Sequence, residues 1–313
     1  MTSATRALVW TVTGASGFVG GHALTALKHA GHEAKGLARK DAPTWDEGSL
    51  RRLLEGTEGV VHAASVVHKP TTPAEEYTRF NVEGTRALLE AARTAGVRRF
   101  VFVSSIKVYG ETPGGLIDER MAVSPEGHYA RTKAEAEALV LEASDLRPVV
   151  LRLCPVYGRG DKGNVRTMIR AIAGHRFFVP GDGSSRKSIV HVSTVSDVVC
   201  AAARSEATGV LVVADNQTPT IRELADAIAA RLVRRRPLSI PTSLLRGAAS
   251  LVGRAARIAG SSTQISATLI DKAMTSSICD PSRVERELGV SCHVDLASSL
   301  ADEIAWLREL RVI

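Results

Sequence analysis

The sequence predicts an α/β fold: a doubly wound parallel sheet with a smaller C-terminal substrate-binding region. Three observations predict it. Short apolar runs alternate with segments of helical periodicity through the first half of the chain. A glycine-rich turn, Thr13-Gly14-Ala15-Ser16-Gly17-Phe18-Val19-Gly20, joins the first run to the first such segment. The 313 residues are 44% hydrophobic but 4% aromatic, which suits a large core of small aliphatic side chains.

In order, Ala7–Val12 reads as a buried strand. Phe18–Ala30 places Ala23, Ala26, Leu27 and Ala30 on one helical face, and Gly31 stands ready to end it. Glu33–Ala38 and Gly59–Ala64 are strands, and Glu76–Ala95 is a long helix ending at Gly96. Arg99–Ser104 is a strand, Tyr129–Ala143 a helix and Pro148–Leu153 a strand. This rhythm requires parallel pairing through right-handed crossovers. One unit is thin, with about twenty residues between Arg39 and Val60. In the strand order 3-2-1-4-5-6 the third strand lies at an edge, so it can be trimmed to almost nothing.

Beyond Leu153 the rhythm loosens into loops at Gly158–Gly163 and Gly181–Lys187. A strand near Ile189–Val192 and a helix near Val195–Arg204 are expected to return to the sheet, followed by a strand at Val210–Ala214. From residue 219 onward, helices are broken at Pro237, Pro241 and Pro281. The expected division is a dinucleotide-binding domain of residues 1–160, with 188–215 returning to it. Residues 161–187 and 216–313 then form the substrate-binding region.

The formal charge is +7 and the basic residues are dispersed, apart from Arg231 and Arg234-Arg235-Arg236. That run reads either as a solvated helix end or as an attractor for a diphosphate-bearing substrate. No nucleic-acid-binding motif is present. Cys154, Cys200, Cys279 and Cys292 are isolated, so no metal site or redox motif is expected, and a reducing cytoplasm fits. The N-terminus runs into a strand without a signal-peptide pattern. No uncharged apolar run reaches the roughly 18–20 residues of a membrane span. Leu244–Ala259 is fairly apolar, but Arg246, Arg254 and Arg257 interrupt it. It reads as a packed helix rather than a membrane-surface element.

The glycine-rich turn carries the first chemical signal. Gly14 permits a tight turn, Gly17 lets backbone approach a pyrophosphate, and Gly20 lets the helix pack closely on the strand. Free amides at the helix start, around Ser16, Phe18 and Val19, then face phosphates. The second strand ends Gly36-Leu37-Ala38-Arg39-Lys40, with Asp41 afterwards. An acid at that strand end holds the ribose of NAD. Here Arg39, assisted by Lys40, can pair with a 2′-phosphate instead. This favours NADP(H) over NAD, although Arg39 can equally stack on adenine.

Tyr129 and Lys133 stand four residues apart on a helix and share a face. A nearby ammonium favours the phenolate and lowers a pKa near 10. Tyr129 can then exchange a proton with a substrate hydroxyl, and Lys133 can also hold the nicotinamide ribose. Ser105 leaves the C-terminal end of a strand, the edge where ligands bind in open α/β sheets. It can orient the reacting oxygen, or simply cap its own turn.

With these residues in place, the chain resembles the extended short-chain dehydrogenase/reductases, in their NAD-dependent epimerase/dehydratase branch. The likeness is carried by TGASGFVG at 13–20, VVHAAS at 60–65, NVEGT at 81–85, SSIKVYG at 104–110, YARTK at 129–133 and LRLCPVYGRG at 151–160. It continues with VHVSTVSDVV at 190–199 and CDPSRVERELGV at 279–290. The resemblance implies a Rossmann-type domain and a catalytic triad of Ser105, Tyr129 and Lys133. It places Ala63, Ala64 and Ser65 along the cofactor with Asn81 beneath it, and Pro155 and Val156 against the nicotinamide. Ser105, Ile106 and Lys107 would meet the sugar. Asn164, and Arg186 or Lys187, fall where relatives hold a nucleotide diphosphate.

Sugar 4,6-dehydratases carry an Asp-Glu pair directly after the catalytic Ser or Thr. Ile106 and Lys107 stand there in this chain. This argues against dehydration, while the SSIKVYG and NVEGT wording resembles bacterial polysaccharide-pathway 4-epimerases, and that resemblance implies nucleotide-sugar 4-epimerisation through a 4-keto intermediate. The alternatives are an NADPH-dependent ketoreductase of a ketosugar or other small carbonyl, and a non-catalytic dinucleotide-binding regulator. A homodimer through the two long helices is expected by resemblance.

Overall fold

The structure, a computed structural model, describes residues 8–38, 41, 45–67, 72–111, 115–247 and 267–313, the stretch 267–270 by its backbone alone. Arg39, Lys40 and most of Leu244–Ala259 lie outside the described residues. Six strands form the central sheet: β1 (Val9–Thr13), β2 (Glu33–Leu37), β3 (Gly59–His62), β4 (Arg99–Ser105), β5 (Pro148–Leu153) and β6 (Gly209–Val213). Their order is β2-β1-β3-β4-β5-β6 and every pairing is parallel. The shortened third unit is visible here. Among the described residues β2 is the edge strand, and only the short helix α2 (Glu47–Leu53) fills the interval before β3.

Alternation along the strands divides the core into two layers. On one face Trp10, Val12, Val61 and Val101 pack with Ala23 and Leu27 of α1 (Phe18–His29) and with Val195 and Val199 of α6 (Val192–Arg204). On the other, Phe100, Phe102 and Val150 meet Leu50 of α2 and Leu88 of α3 (Gly84–Thr94). Ala136 and Val140 of α4 (Gly127–Glu142) complete that layer. The long helix foreseen at Glu76–Ala95 contains a π-helical stretch at Thr78–Glu83. Such an insertion re-aims one side chain without ending the helix, and is common at functional sites. Here it carries Asn81.

One expectation is corrected. The segment near Ile189–Val192 does not join the central sheet. Val190–His191 pairs instead with Val156–Tyr157 in a separate two-stranded ladder. Its backbone is committed elsewhere: Val190 N donates to the Pro155 carbonyl at 3.0 Å and His191 N to Asp215 Oδ2 at 2.8 Å. The β6 strand takes the outer place, and α6 packs on the sheet as expected.

A third cluster forms from Tyr157 and Ile169 of the region around α5 (Asn164–Ala173), Leu224 and Ile228 of α7 (Ile221–Arg231), and Leu300, Ile304 and Leu307 of α8 (Leu296–Glu309). The capping box of Thr220 with Glu223 fixes where α7 begins. Packing does not follow the expected boundary at 216 throughout. Cys279, Val284 and Cys292 lie in the core beneath the sheet, with Leu211 and Val212.

The α8 helix docks through a carboxyl group that burial holds protonated. Glu303 is fully buried. Its Oε2 accepts from Gly158 N at 3.1 Å, while Oε1 has no partner. Burial, with Asp161 nearby, pushes its pKa from 4.5 to about 8. Between those values the folded chain keeps a proton that the unfolded chain releases, so stability falls as pH rises through that window. Glu303→Gln should flatten this slope and raise the thermal midpoint at pH 8 relative to wild type. Melting curves from pH 5 to pH 8 test it; parallel slopes for the two proteins would refute it.

Candidate active site

The site gathers at the C-terminal ends of β1, β3, β4 and β5. The glycine turn leaves β1 with Gly14 at φ +69°. A Cβ there would stand 2.7 Å from Ala64 N, and one on Gly20 would collide with the Gly14 carbonyl. The turn is thus pressed against Ala63 and Ala64, as the sequence required. Gly17 precedes α1 with no side-chain cap and no acid in the first turn. The first amides of α1, including Phe18 and Val19, are left for an anion. Ser16 and Gly17 are exposed, and Phe18 packs against Gly160 from the loop beyond β5. This cradle fits a dinucleotide pyrophosphate. At the β2 end, Asp41 accepts from Ala38 N at 2.7 Å and so serves its own turn.

A buried polar chain ties this turn to α4. Thr13 Oγ1 accepts from Ala64 N at 3.2 Å and lies 2.7 Å from His62 Nδ1. His62 Nε2 lies 3.0 Å from Thr85 Oγ1, which itself donates to the Asn81 carbonyl at 2.6 Å. Thr85 has its one proton in use, so His62 must donate from Nε2 and accept at Nδ1. Burial first, then the Lys133 ammonium, lowers the His62 pKa to about 3, which keeps the ring neutral. Asn81 Oδ1 accepts from Val66 N at 2.7 Å and from Ser65 Oγ at 3.1 Å. Its Nδ2 donates to Thr132 Oγ1 at 3.1 Å. Asn81 therefore pins the Ala63–Val66 loop to the helix that carries Tyr129 and Lys133.

Of the two roles foreseen for Ser105, the turn cap is present. Its Oγ accepts from Lys107 N at 3.2 Å, capping a short turn, and it hydrogen-bonds the Tyr129 phenol. The expected effect of Lys133 on that phenol is not found. Burial pushes Tyr129 up to about 12, against the Ser105 hydrogen bond. Lys133 Nζ is turned inward, donating to the Val103 carbonyl at 2.7 Å and lying 3.9 Å over the Phe102 ring. Burial lowers its pKa to about 7, with Glu137 opposing.

Beneath this lysine lies a charged network that the sequence reading missed. Arg152 Nη2 donates to Glu137 Oε2 at 2.6 Å, and Arg152 Nε contacts both Glu137 oxygens. Ser104 donates to Glu137 Oε1, Arg152 Nη1 donates to Tyr109 Oη at 2.7 Å, and Tyr109 donates to the Asp118 carbonyl at 2.8 Å. Ser104, Tyr109, Glu137 and Arg152 are buried. The signal was present: Tyr129, Lys133 and Glu137 repeat at four-residue spacing on one helix.

The mouth of the site is basic. Lys107 Nζ lies 2.6 Å and Lys272 Nζ 3.0 Å from Glu111 Oε2. Lys187 donates to the Lys272 carbonyl at 2.7 Å and its pKa is lowered by burial and by Lys107. Arg186 and Lys187 bridge opposite neighbours, Thr220 and Ser277. Arg186 donates to the Thr218 carbonyl instead. Lys187 likewise donates to backbone carbonyls, those of Lys272 and Thr275, so both side chains are held by main chain. Ile106 is buried in the core, while Lys107 beside it is half-buried. Pro155 is exposed just beyond β5, and Asn164 is exposed at the start of α5. Lys272 was not foreseen, since no motif surrounds it.

A doubly wound sheet with a dinucleotide cradle and a Ser–Tyr–Lys group defines the short-chain dehydrogenase/reductase class of enzyme. A sequence profile described as the NAD dependent epimerase/dehydratase family matches residues 10–214. The chain belongs to that family. It is 30% identical to an N-acetyl-alpha-D-glucosaminyl-diphospho-ditrans,octacis-undecaprenol 4-epimerase of Escherichia coli O157:H7, over 59% of this chain and 60% of that protein. It is 32% identical to a 4-hydroxy-2-methyl-3-oxo-4-farnesyl-3,4-dihydroquinoline-1-oxide ketoreductase of Stigmatella aurantiaca, over 61% of this chain and 63% of that protein. Among solved structures, MoeE5 in complex with UDP-glucose and NAD superposes with a TM-score of 0.76 at 26% identity, over 97% of this chain and 99% of that one.

Proposed function

We propose that the chain is an NAD(P)-dependent 4-epimerase of a sugar carried on a diphosphate, a nucleotide sugar first of all. The observation that carries this reading is the pairing of Ser105 and Tyr129 at a mouth lined by Lys107, Lys187 and Lys272. The first pair suits a reacting hydroxyl, and the three ammonium groups suit a diphosphate that displaces Glu111 from Lys107 and Lys272 and the backbone carbonyls from Lys187. MoeE5 binds UDP-glucose and the Escherichia coli relative is a 4-epimerase of a diphospho-linked sugar. Both support it, as does the absence of an acidic pair after Ser105.

In this reading Tyr129 removes the C4 hydroxyl proton and Ser105 donates to the same oxygen. Bound nicotinamide supplies the hydride acceptor, and the same hydride donor after the 4-keto sugar has turned. Tyr129 cannot act near neutral pH while burial holds it at about 12. Lys133 must therefore leave the Val103 carbonyl and bring its ammonium toward the phenol. Ala63, Ala64, Ser65, Pro155 and Val156 line the path of the dinucleotide, and Asn81 braces it. Arg39 and Lys40 take a 2′-phosphate, which makes NADP the preferred form. The enzyme works in the cytoplasm as a homodimer through α3 and α4.

The test is incubation with UDP-hexoses without added cofactor. Interconversion of C4 epimers, with nicotinamide retained on the purified protein, is expected. Consumption of added NADPH with reduction of a carbonyl, and no epimer formed, would instead support the ketoreductase reading. That reading draws on Arg39 and on the ketoreductase relative. Mass spectrometry of the released dinucleotide distinguishes NADP from NAD.

A further inference from the structure

The basic run after α7 is not absorbed by the active site. It lies on an outer edge of the third cluster, beside a small exposed apolar face. Val179–Pro180 pairs in parallel with Ser239–Ile240, and Val179 N donates to the Leu238 carbonyl at 2.9 Å. Val179 points into the core. Alternation therefore turns Phe178 outward, and it is 48% exposed. Leu238, Leu244 and Val233 are 71%, 65% and 88% exposed. These are large apolar side chains within two short segments, rather than scattered single residues.

Val233 adds a second observation. It holds φ +54° just past the end of α7, where glycine or asparagine ordinarily stands. A β-branched residue there is strained. Neither burial nor a contact repays that strain in the folded chain, since the side chain is in solvent. Strain kept at an exposed apolar residue points to use.

Charge decides the partner. Residues 174–181 and 230–247 hold six arginines and no carboxylate. Arg236 has a long contact with Asp226 at 3.8 Å and Arg246 pairs with Asp271. Arg176, Arg234 and Arg235 are exposed and pair with no carboxylate among the described residues. Apolar side chains interleaved with unneutralised arginines match the interface of an anionic bilayer, where the former enter the acyl boundary and the latter meet phosphates.

We propose that this edge, built from Phe178, Val233, Leu238 and Leu244 with Arg234–Arg236, docks the enzyme on an anionic membrane surface. This is peripheral docking and not a span; among the described residues no helix is long and apolar enough to cross a membrane. The proposal does not depend on which sugar is turned over.

The full chain is sedimented with phosphatidylcholine vesicles, and with vesicles in which a third of the lipid is phosphatidylglycerol. Binding to the second, weakened by salt, is expected. Arg234→Glu with Arg235→Glu and Arg236→Glu should weaken it by at least a hundredfold, from roughly 1 kcal/mol per charge at such a surface. Val233→Asp with Leu238→Asp should also release the protein. Both variants should keep wild-type melting points and nicotinamide content. No binding to anionic vesicles, or binding that neither variant changes, overturns the proposal. So does a wild-type dimer in light scattering that Val233→Asp with Leu238→Asp splits, because the edge would then be a self-interface.

Discussion

Tyr129→Phe should lower C4 interconversion by about 10²–10⁴-fold, the range for losing a positioned acid–base group, while the protein still folds and retains its dinucleotide. The substitution removes one oxygen. Ser105 keeps its capping bond from Lys107 N, so the turn that presents it stays in place. Lys133 keeps its bond to the Val103 carbonyl, and the glycine turn is untouched. Once Lys133 has turned toward it, the half-buried phenol is the group placed to take the hydroxyl proton. Removing a hydroxyl that burial has driven to about 12 leaves no buried charge behind, so the melting point should not fall. Initial rates, the melting midpoint and the mass of retained nicotinamide are read on the same preparation. Undiminished turnover in Tyr129→Phe would remove the catalytic role of Tyr129 and revive a regulatory reading of the fold.

Much of this geometry was legible because it is local. The strand–turn–helix context and glycine spacing placed the cradle of Gly14 and Gly17, since a Cβ at either position meets backbone. The short interval from Arg39 to Val60 announced a shortened third unit, because chain length is a hard limit on what can be built, and among the described residues only α2 stands between β2 and β3. What escaped the sequence is non-local. Val190–His191 reads as a sheet strand by composition, yet Asp215 and Pro155 hold it in a separate ladder. Lys272 reaches Glu111 from a helix far along the chain, and no spacing foretells that. The inward turn of Lys133 depends on Phe102 and Val103 lying beneath it. Glu137 and Arg152 look like surface charges on a helix and a strand. Only the stacking of α4 on β4 and β5 buries them face to face.

That buried pair leads to the second large effect. Glu137→Ala should destabilise the fold by about 3–5 kcal/mol, because it leaves the buried Arg152 guanidinium without its anion. The loss is read from the shift in a urea-unfolding midpoint. Arg152→Met alone should cost a similar amount by stranding the Glu137 carboxylate. Glu137→Leu with Arg152→Met should cost much less than the sum, since no unpaired charge then remains. The milder Glu137→Gln separates stability from charge on the catalytic helix. The Glu137 carboxylate raises the pKa of Lys133 against burial, and it also raises that of Tyr129. Without it the Lys133 ammonium persists to a lower pH than about 7. If that ammonium is what lets Tyr129 ionise, the alkaline limb of the pH–rate profile must move to lower pH in Glu137→Gln. A purely structural role for Glu137 would lower the unfolding midpoint and leave the profile where it was.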